Sequence, residues 1–144
     1  MELHIKAFDE LTLTQLYNLV RARVALFVVE QECPYPELDG KDFGAYQVWL
    51  VEYGEILAYL RVLDRGVSYP ELSIGRVITT RRGVGLGRRI MEEGIRVAEE
   101  KFGPGPIRIQ AQSYAQGFYA LFGFKRVSDE FLEDGIPHVE MIRD

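Results

Sequence analysis

The chain has 144 residues, 47% of them hydrophobic and 27% charged, a composition that points to one folded domain over residues 1–144 and excludes a disordered tail. A net charge of −5 argues against a nucleic-acid partner, whose phosphates demand a basic face. The one cysteine, Cys33, rules out an intrachain disulfide and argues against a cysteine zinc site, so no metal is expected. No apolar run approaches the ~18 residues of a membrane span. The start, Met1-Glu2-Leu3-His4-Ile5-Lys6, alternates like a strand and not like a signal peptide, so a cytoplasmic protein without a membrane partner is expected.

In chain order, Leu3, Ile5 and Ala7 alternate with polar neighbours and predict a first strand. Thr12 and Gln15 form a capping-box pattern ahead of Leu13, Leu16, Val20, Val24 and Phe27, predicting a helix. Pro34 and Pro36 break it, and an irregular acidic loop runs to about Ala45. Residues 46–53 and 55–64 read as a hairpin turning at Gly54, followed by a third apolar strand over 72–79. The glycine-rich turn 83–87 leads into a helix that ends near Phe102, where Gly103-Pro104-Gly105-Pro106 stops it. A strand at 107–111, a short helix at 114–122 closed by Gly123, and strands at 124–127 and 138–142 complete the chain. The order β-α-β-β-β-α-β-α-β-β is that of a mixed α/β domain, not a doubly wound one.

Charge is unevenly placed. Residues 72–91 hold five arginines (Arg76, Arg81, Arg82, Arg88, Arg89) and no acid, while residues 29–43 hold five acids (Glu30, Glu32, Glu37, Asp39, Asp42) against Lys41. An anion-binding segment and an acidic segment in one small domain would suit an anionic cofactor and a cationic substrate. The alternative is that the arginines pair with acids elsewhere in the chain.

The turn Arg81-Arg82-Gly83-Val84-Gly85-Leu86-Gly87-Arg88 lies between a strand and a helix. Glycines let the backbone approach a ligand, and the first helical N–H groups, at the positive end of the helix dipole, suit phosphate oxygens. Gly87 is followed by Arg88-Arg89, not by Lys-Ser/Thr, so this is no Walker loop. The spacing G-x-G-x-G, in this strand order, is no dinucleotide fingerprint either.

What remains, R-x-x-G-x-G at Arg82, Gly85 and Gly87, resembles the pyrophosphate loop of the GNAT N-acetyltransferase superfamily. The run from Gln112 through Ala115, Phe118 and Tyr119 to Gly123-Phe124 resembles the family pattern N-x-x-A-x-x-L-Y-x-x-x-G-F, with Gln112 in place of Asn and Phe118 in place of Leu. More narrowly, residues 23–42 and the ending Glu133-Asp134-Gly135-Ile136-Pro137-His138-Val139-Glu140-Met141 look like the ElaA-like acetyltransferases.

The resemblance implies a GNAT fold, with a mostly antiparallel sheet splayed at its centre into a V and flanked by helices. It implies acetyl-CoA as donor, its pantetheine arm along Val77, Ile78 and Thr79 and its pyrophosphate on the backbone of Gly83, Val84, Gly85, Leu86, Gly87 and Arg88. Arg82 or Arg88 would add charge, and Gln112 would lie beside the cofactor. It further implies direct attack by an amine, with an oxyanion donor at a backbone N–H near Ile78 and Tyr119 protonating the departing thiolate. Glu30 would bind the amine or act as base, and His138 would line the substrate site. The acceptor would be a small-molecule or peptide amine, and pairing into a homodimer is open. Cys33, in an acidic loop that disfavours a thiolate, is expected to be packing and not a nucleophile. The rival readings are a non-catalytic acyl-CoA-binding sensor, favoured less because a sensor needs no Tyr119, and an acyl-homoserine lactone synthase, disfavoured by the short chain.

Overall fold

The computed structural model describes residues 1–32, 36–81 and 83–144, so Cys33 and Arg82 lie outside the described residues. Strands β1 (Glu2–Ala7), β2 (Tyr46–Glu52), β3 (Glu55–Leu63) and β4 (Ser73–Thr79) pair antiparallel in sequence order. The β2–β3 hairpin turns at Tyr53-Gly54, both with positive φ. Period-two alternation then sorts the central strands onto two faces. Val48, Leu50, Ala58, Leu60 and Val62 face the larger core, beneath helix α2 (Leu86–Phe102). Trp49 and Tyr59 face helix α1 (Leu13–Val24), whose Leu19 completes a smaller core.

The capping box predicted for α1 is present, with Gln15 N–H donating to Thr12 Oγ1 at 3.1 Å and Thr12 N–H to Gln15 Oε1 at 3.0 Å. Against expectation, α1 does not continue regularly to Phe27. It winds into a π turn over Ala25–Glu30, where the rise of the chain and the facing of each side chain change together. On α2, Gly94 is where helix and sheet touch: a Cβ there would lie 2.7 Å from Leu60 Cδ2.

The second sheet is β5 (Ile107–Gln112), β8 (Ile136–Arg143) and β6 (Lys125–Arg126), with β7 (Phe131–Glu133) also paired to β8. The sequence reading omits β7, extends β6 by a residue at each end and lengthens the helix after β5. That helix, α3, covers only Gln116–Ala120, behind a 3-10 turn at Ser113–Ala115. Among the described residues the two sheets join where Leu72 and Ile107 form a parallel bridge and Arg108 N–H donates to the Leu72 carbonyl at 2.8 Å. Beyond it β4 and β5 part, as the splayed sheet requires. A parallel pair joined through α2 has its open end at the carboxyl ends of both strands, where α2 begins.

Candidate functional site

The parting of β4 and β5 leaves a cleft of about 1070 Å³. Its walls are β4, the end of β5 at Gln110 and Gln112, the π turn, Tyr119 and His138.

β4 is irregular where it borders this cleft. Tyr59 pairs with Ile78 but Arg61 with Gly75, so Arg76 and Val77 together face the single residue Leu60, which is a β-bulge. Arg76 sits at φ +54°, a left-handed conformation that costs a non-glycine residue about 1–3 kcal/mol. The ladder fixes which N–H groups face the cleft. Thr80 N–H donates to the Leu57 carbonyl at 3.0 Å, so Ile78, two residues earlier, also turns its N–H toward β3. Of the N–H groups near Ile78 where a donor is expected, that of Ile78 itself is engaged within the sheet, and alternation turns those of Val77 and Thr79 toward the cleft. The Ile78 side chain is buried against Tyr59 and Trp49.

At the open end, Gly83 and Gly85 have φ of +75° and +77°, which L side chains rarely adopt. Gly85 is the N-cap of α2 and offers no side-chain cap. Since the first helical bond is Arg89 N–H to the Gly85 carbonyl at 3.0 Å, the N–H groups of Leu86, Gly87 and Arg88 have no helical acceptor. Val84 is 64% exposed at the tip of the turn. Gly87 lies under the Phe118 ring, where a Cβ would come within 3.2 Å of two ring carbons. The Arg88 guanidinium is on the surface, 3.2 Å from Glu92.

Tyr119 packs edge-on against Phe118 and Phe124 and borders the cleft. Burial first, and the neighbouring Tyr114 second, push its phenol up to about 12, so it stays protonated at neutral pH. Gln112 closes the end of β5, opposite His138 on β8, and reaches across to the π turn, its Nε2 donating to Gln31 Oε1 at 3.4 Å. His138 Nδ1 lies 2.7 Å from the Ile136 carbonyl, and its ring stacks on Phe131 at 6.3 Å. Glu30, at the last position of the π turn, is exposed and borders the cleft with Glu133 and Asp134.

The acidic loop behaves differently from the expectation of a substrate-attracting segment. Glu37 takes Arg23 at 2.7 Å and Arg76 at 2.8 Å; Asp42 takes Arg23 at 2.8 Å and Arg61 at 3.2 Å; Asp39 takes Arg61 at 2.6 Å. Tyr59 joins beneath them, accepting from Arg23 and donating to Gln47 Oε1. Burial opposes charge on Asp39 and Asp42, yet the facing guanidinium groups hold both carboxyls below the ordinary range. Burial likewise opposes charge on Arg23, which Tyr59, Asp42 and Glu37 override. Glu37, Asp39 and Asp42 thus neutralise internal arginines, and Arg76 belongs to this network and not to a phosphate site. Sequence reasoning missed Arg23 and Arg61 altogether; the only signal for them was the excess of acid in the loop.

Residues 17–144 match the acetyltransferase (GNAT) domain family. The chain is 37% identical to protein ElaA of Escherichia coli over 94% of this chain and 92% of that one. It is 44% identical to a UPF0039 protein of Mycobacterium tuberculosis over 89% and 83% of the two chains. A crystal structure of an acyl-CoA N-acyltransferase from Pseudomonas aeruginosa superposes with a TM-score of 0.94 at 38% identity over the whole of both chains. That of E. coli ElaA superposes at 0.93 with 35% identity over 99% of each. The acyl-homoserine lactone synthase LasI shares the fold alone, at 14% identity. With the parted strands, the glycine turn and the tyrosine all on one cleft, the chain belongs to the GNAT acetyltransferase family, in its ElaA-like branch.

Proposed function

We propose that this protein is an acetyl-CoA-dependent N-acetyltransferase that moves an acetyl group to a primary amine by direct attack. The observation that carries the reading is the parting of β4 and β5 beyond Leu72 and Ile107, which leaves a free strand edge beside Tyr119. The cleft suits the donor on three counts. Its length follows an unpaired strand edge, on which an amide-bearing arm can add as a strand does. The unpaired N–H groups of Leu86, Gly87 and Arg88 suit a pyrophosphate. Its volume of about 1070 Å³ leaves room for an acceptor beside the donor. When bound, acetyl-CoA supplies an activated acetyl thioester.

The chain's own groups then divide the work. Val77 and Thr79 hold the arm, with the Val77 N–H offered to the thioester carbonyl oxygen as negative charge develops there. Glu30 attracts the ammonium of the acceptor. A carbonyl only accepts, so Nδ1 of neutral His138 carries the ring proton and Nε2 carries the lone pair. Nε2 takes the ammonium proton, the amine nitrogen forms the new C–N bond and loses its second proton to solvent as the amide forms, and the C–S bond breaks. Tyr119, kept protonated by burial, gives its proton to the departing sulfur and regains one from solvent.

Calorimetric titration with acetyl-CoA, CoA and dephospho-CoA tests the reading, with Gly85→Glu as control. Binding that is lost in Gly85→Glu, followed by thiol release with an amine panel, supports it. Binding without thiol release on any amine favours a non-catalytic sensor, and no binding removes both readings.

A further inference from the structure

The strained residue of the β4 bulge is gripped by its own side chain. Arg76 Nε lies 2.8 Å from Glu37 Oε2 and its Nη2 lies 3.4 Å from Asp39 Oδ2, with the guanidinium 5.9 Å from the centre of the Phe27 ring. Both acids are themselves held. The Glu37 side chain is 2% exposed and is shared with Arg23 of α1. Asp39 is clamped by both terminal nitrogens of Arg61, at 2.9 and 2.6 Å, and Arg61 stands on β3, the strand against which the bulge forms. The left-handed residue is thereby tied to the loop, to α1 through Glu37 and to β3 through Asp39.

The backbone consequence is local. Gly75 pairs with Arg61 and Ile78 with Tyr59, so two residues must be fitted where regular alternation allows one. The positive φ at Arg76 absorbs the extra residue and leaves the Val77 N–H on the cleft side. Without an anchor, a non-glycine residue would relax out of this region and the register of N–H groups along the cleft would change with it. A glycine could adopt the turn but would also visit others.

We infer that Arg76 is a positioning residue: its ion pairs with Glu37 and Asp39 hold the bulge that presents the Val77 N–H to the reacting carbonyl. What that N–H binds rests on the acetyltransferase reading; the coupling of side chain to bulge does not. Electrostatic stabilisation works through donors fixed before reaction, so the network is preorganisation of the donor, supplied from outside the cleft.

The experiment uses the 15N-labelled protein and two variants, Arg76→Gly, which permits the turn but removes the grip, and Glu37→Gln, which removes the charge. In ligand-free protein the amide signals of residues 76–79 shift or broaden in both, while those of β1 stay in place. With the best amine, kcat falls at least ~10-fold in Arg76→Gly while acetyl-CoA affinity stays within about 3-fold, and Arg76→Lys recovers part of the loss. Unchanged signals at 76–79 overturn the inference, as does a changed spectrum with unchanged kcat. Should Glu37→Gln fail to fold, Arg76→Gly decides alone. Should the wild type transfer acetyl to no amine, the acetyltransferase reading falls, and the ligand-free spectra still decide whether Arg76 holds the bulge.

Discussion

His138 is held by Ile136, two residues before it: Nδ1 donates to the Ile136 carbonyl at 2.7 Å, across Pro137. Proline fixes its own φ, and the Phe131 ring, 6.3 Å away, fixes the plane of the imidazole. The ring therefore has one orientation and one tautomer, as a proton acceptor requires.

This leads to a prediction for the ring itself. His138→Gln removes the Nε2 lone pair and is expected to lower kcat/KM by ~10²-fold with acetyl-CoA affinity unchanged. Steady-state kinetics and calorimetry on the variant check it; an unchanged kcat/KM would make the ring a packing group held by Ile136 and Phe131.

Tyr119 makes the other proton transfer. Its phenol, pushed up to about 12, is protonated across any practical assay range, so it contributes no alkaline loss of activity below about pH 10. Tyr119→Phe keeps the edge-on packing against Phe118 and Phe124 and removes only the proton. It should lower kcat by ~10–100-fold with acetyl-CoA affinity unchanged. Pre-steady-state thiol release and calorimetry separate the two effects; an unchanged kcat would make the phenol a packing group.

Two glycines on α2 should fail in different assays. At Gly87 a Cβ meets Phe118 at 3.2 Å, so Gly87→Val displaces the first turn of the helix and weakens acetyl-CoA binding. At Gly94 a Cβ meets Leu60 at 2.7 Å in the closed core, so Gly94→Ala costs about 1–3 kcal/mol of stability and leaves affinity alone. Urea unfolding and calorimetry on both proteins check the contrast. Equal affinity loss in both would place the binding effect in helix packing, not in the turn.

What could be read in the sequence was what is local. The capping box, the hairpin turn at Gly54 and the glycine turn before α2 are each decided within about five residues, and all three stand in the structure. β7 escaped because Phe131-Leu132-Glu133 is too short to show alternation, and its existence depends on β8. Arg76 follows the alternative the sequence left open, pairing with acids elsewhere in the chain, but which acids it takes and the part of Arg23 and Arg61 were not legible, because the partners lie between 14 and 39 residues apart. Which N–H near Ile78 faces the cleft was not legible for a related reason. Strand parity along β4 is broken by a positive φ at Arg76, beside a glycine that does not adopt one.

The same network sets the acid stability of the fold. Asp39 and Asp42 are held below the ordinary carboxylate range, against their burial, by Arg61 and Arg23. A carboxyl depressed in the folded state contributes stability above its unfolded value of ~3.9, and that stability is lost as pH falls through the lower folded value. Wild-type stability should thus hold from neutral pH down to about pH 4 and decline below it. Arg23→Met takes from Glu37 one of its guanidinium partners, leaving Arg76 at 2.8 Å, and takes from Asp42 its 2.8 Å partner, leaving Arg61 at 3.2 Å. Breaking a buried pair from one side costs about 3–5 kcal/mol, and the Asp42 carboxyl should rise toward its ordinary value. Its share of the acid-labile stability is then absent at neutral pH too, so the difference between the two proteins narrows as pH falls from 7 to 3. Urea unfolding across that range measures the gap; a gap constant with pH would show that Arg23 acts by packing and not by charge.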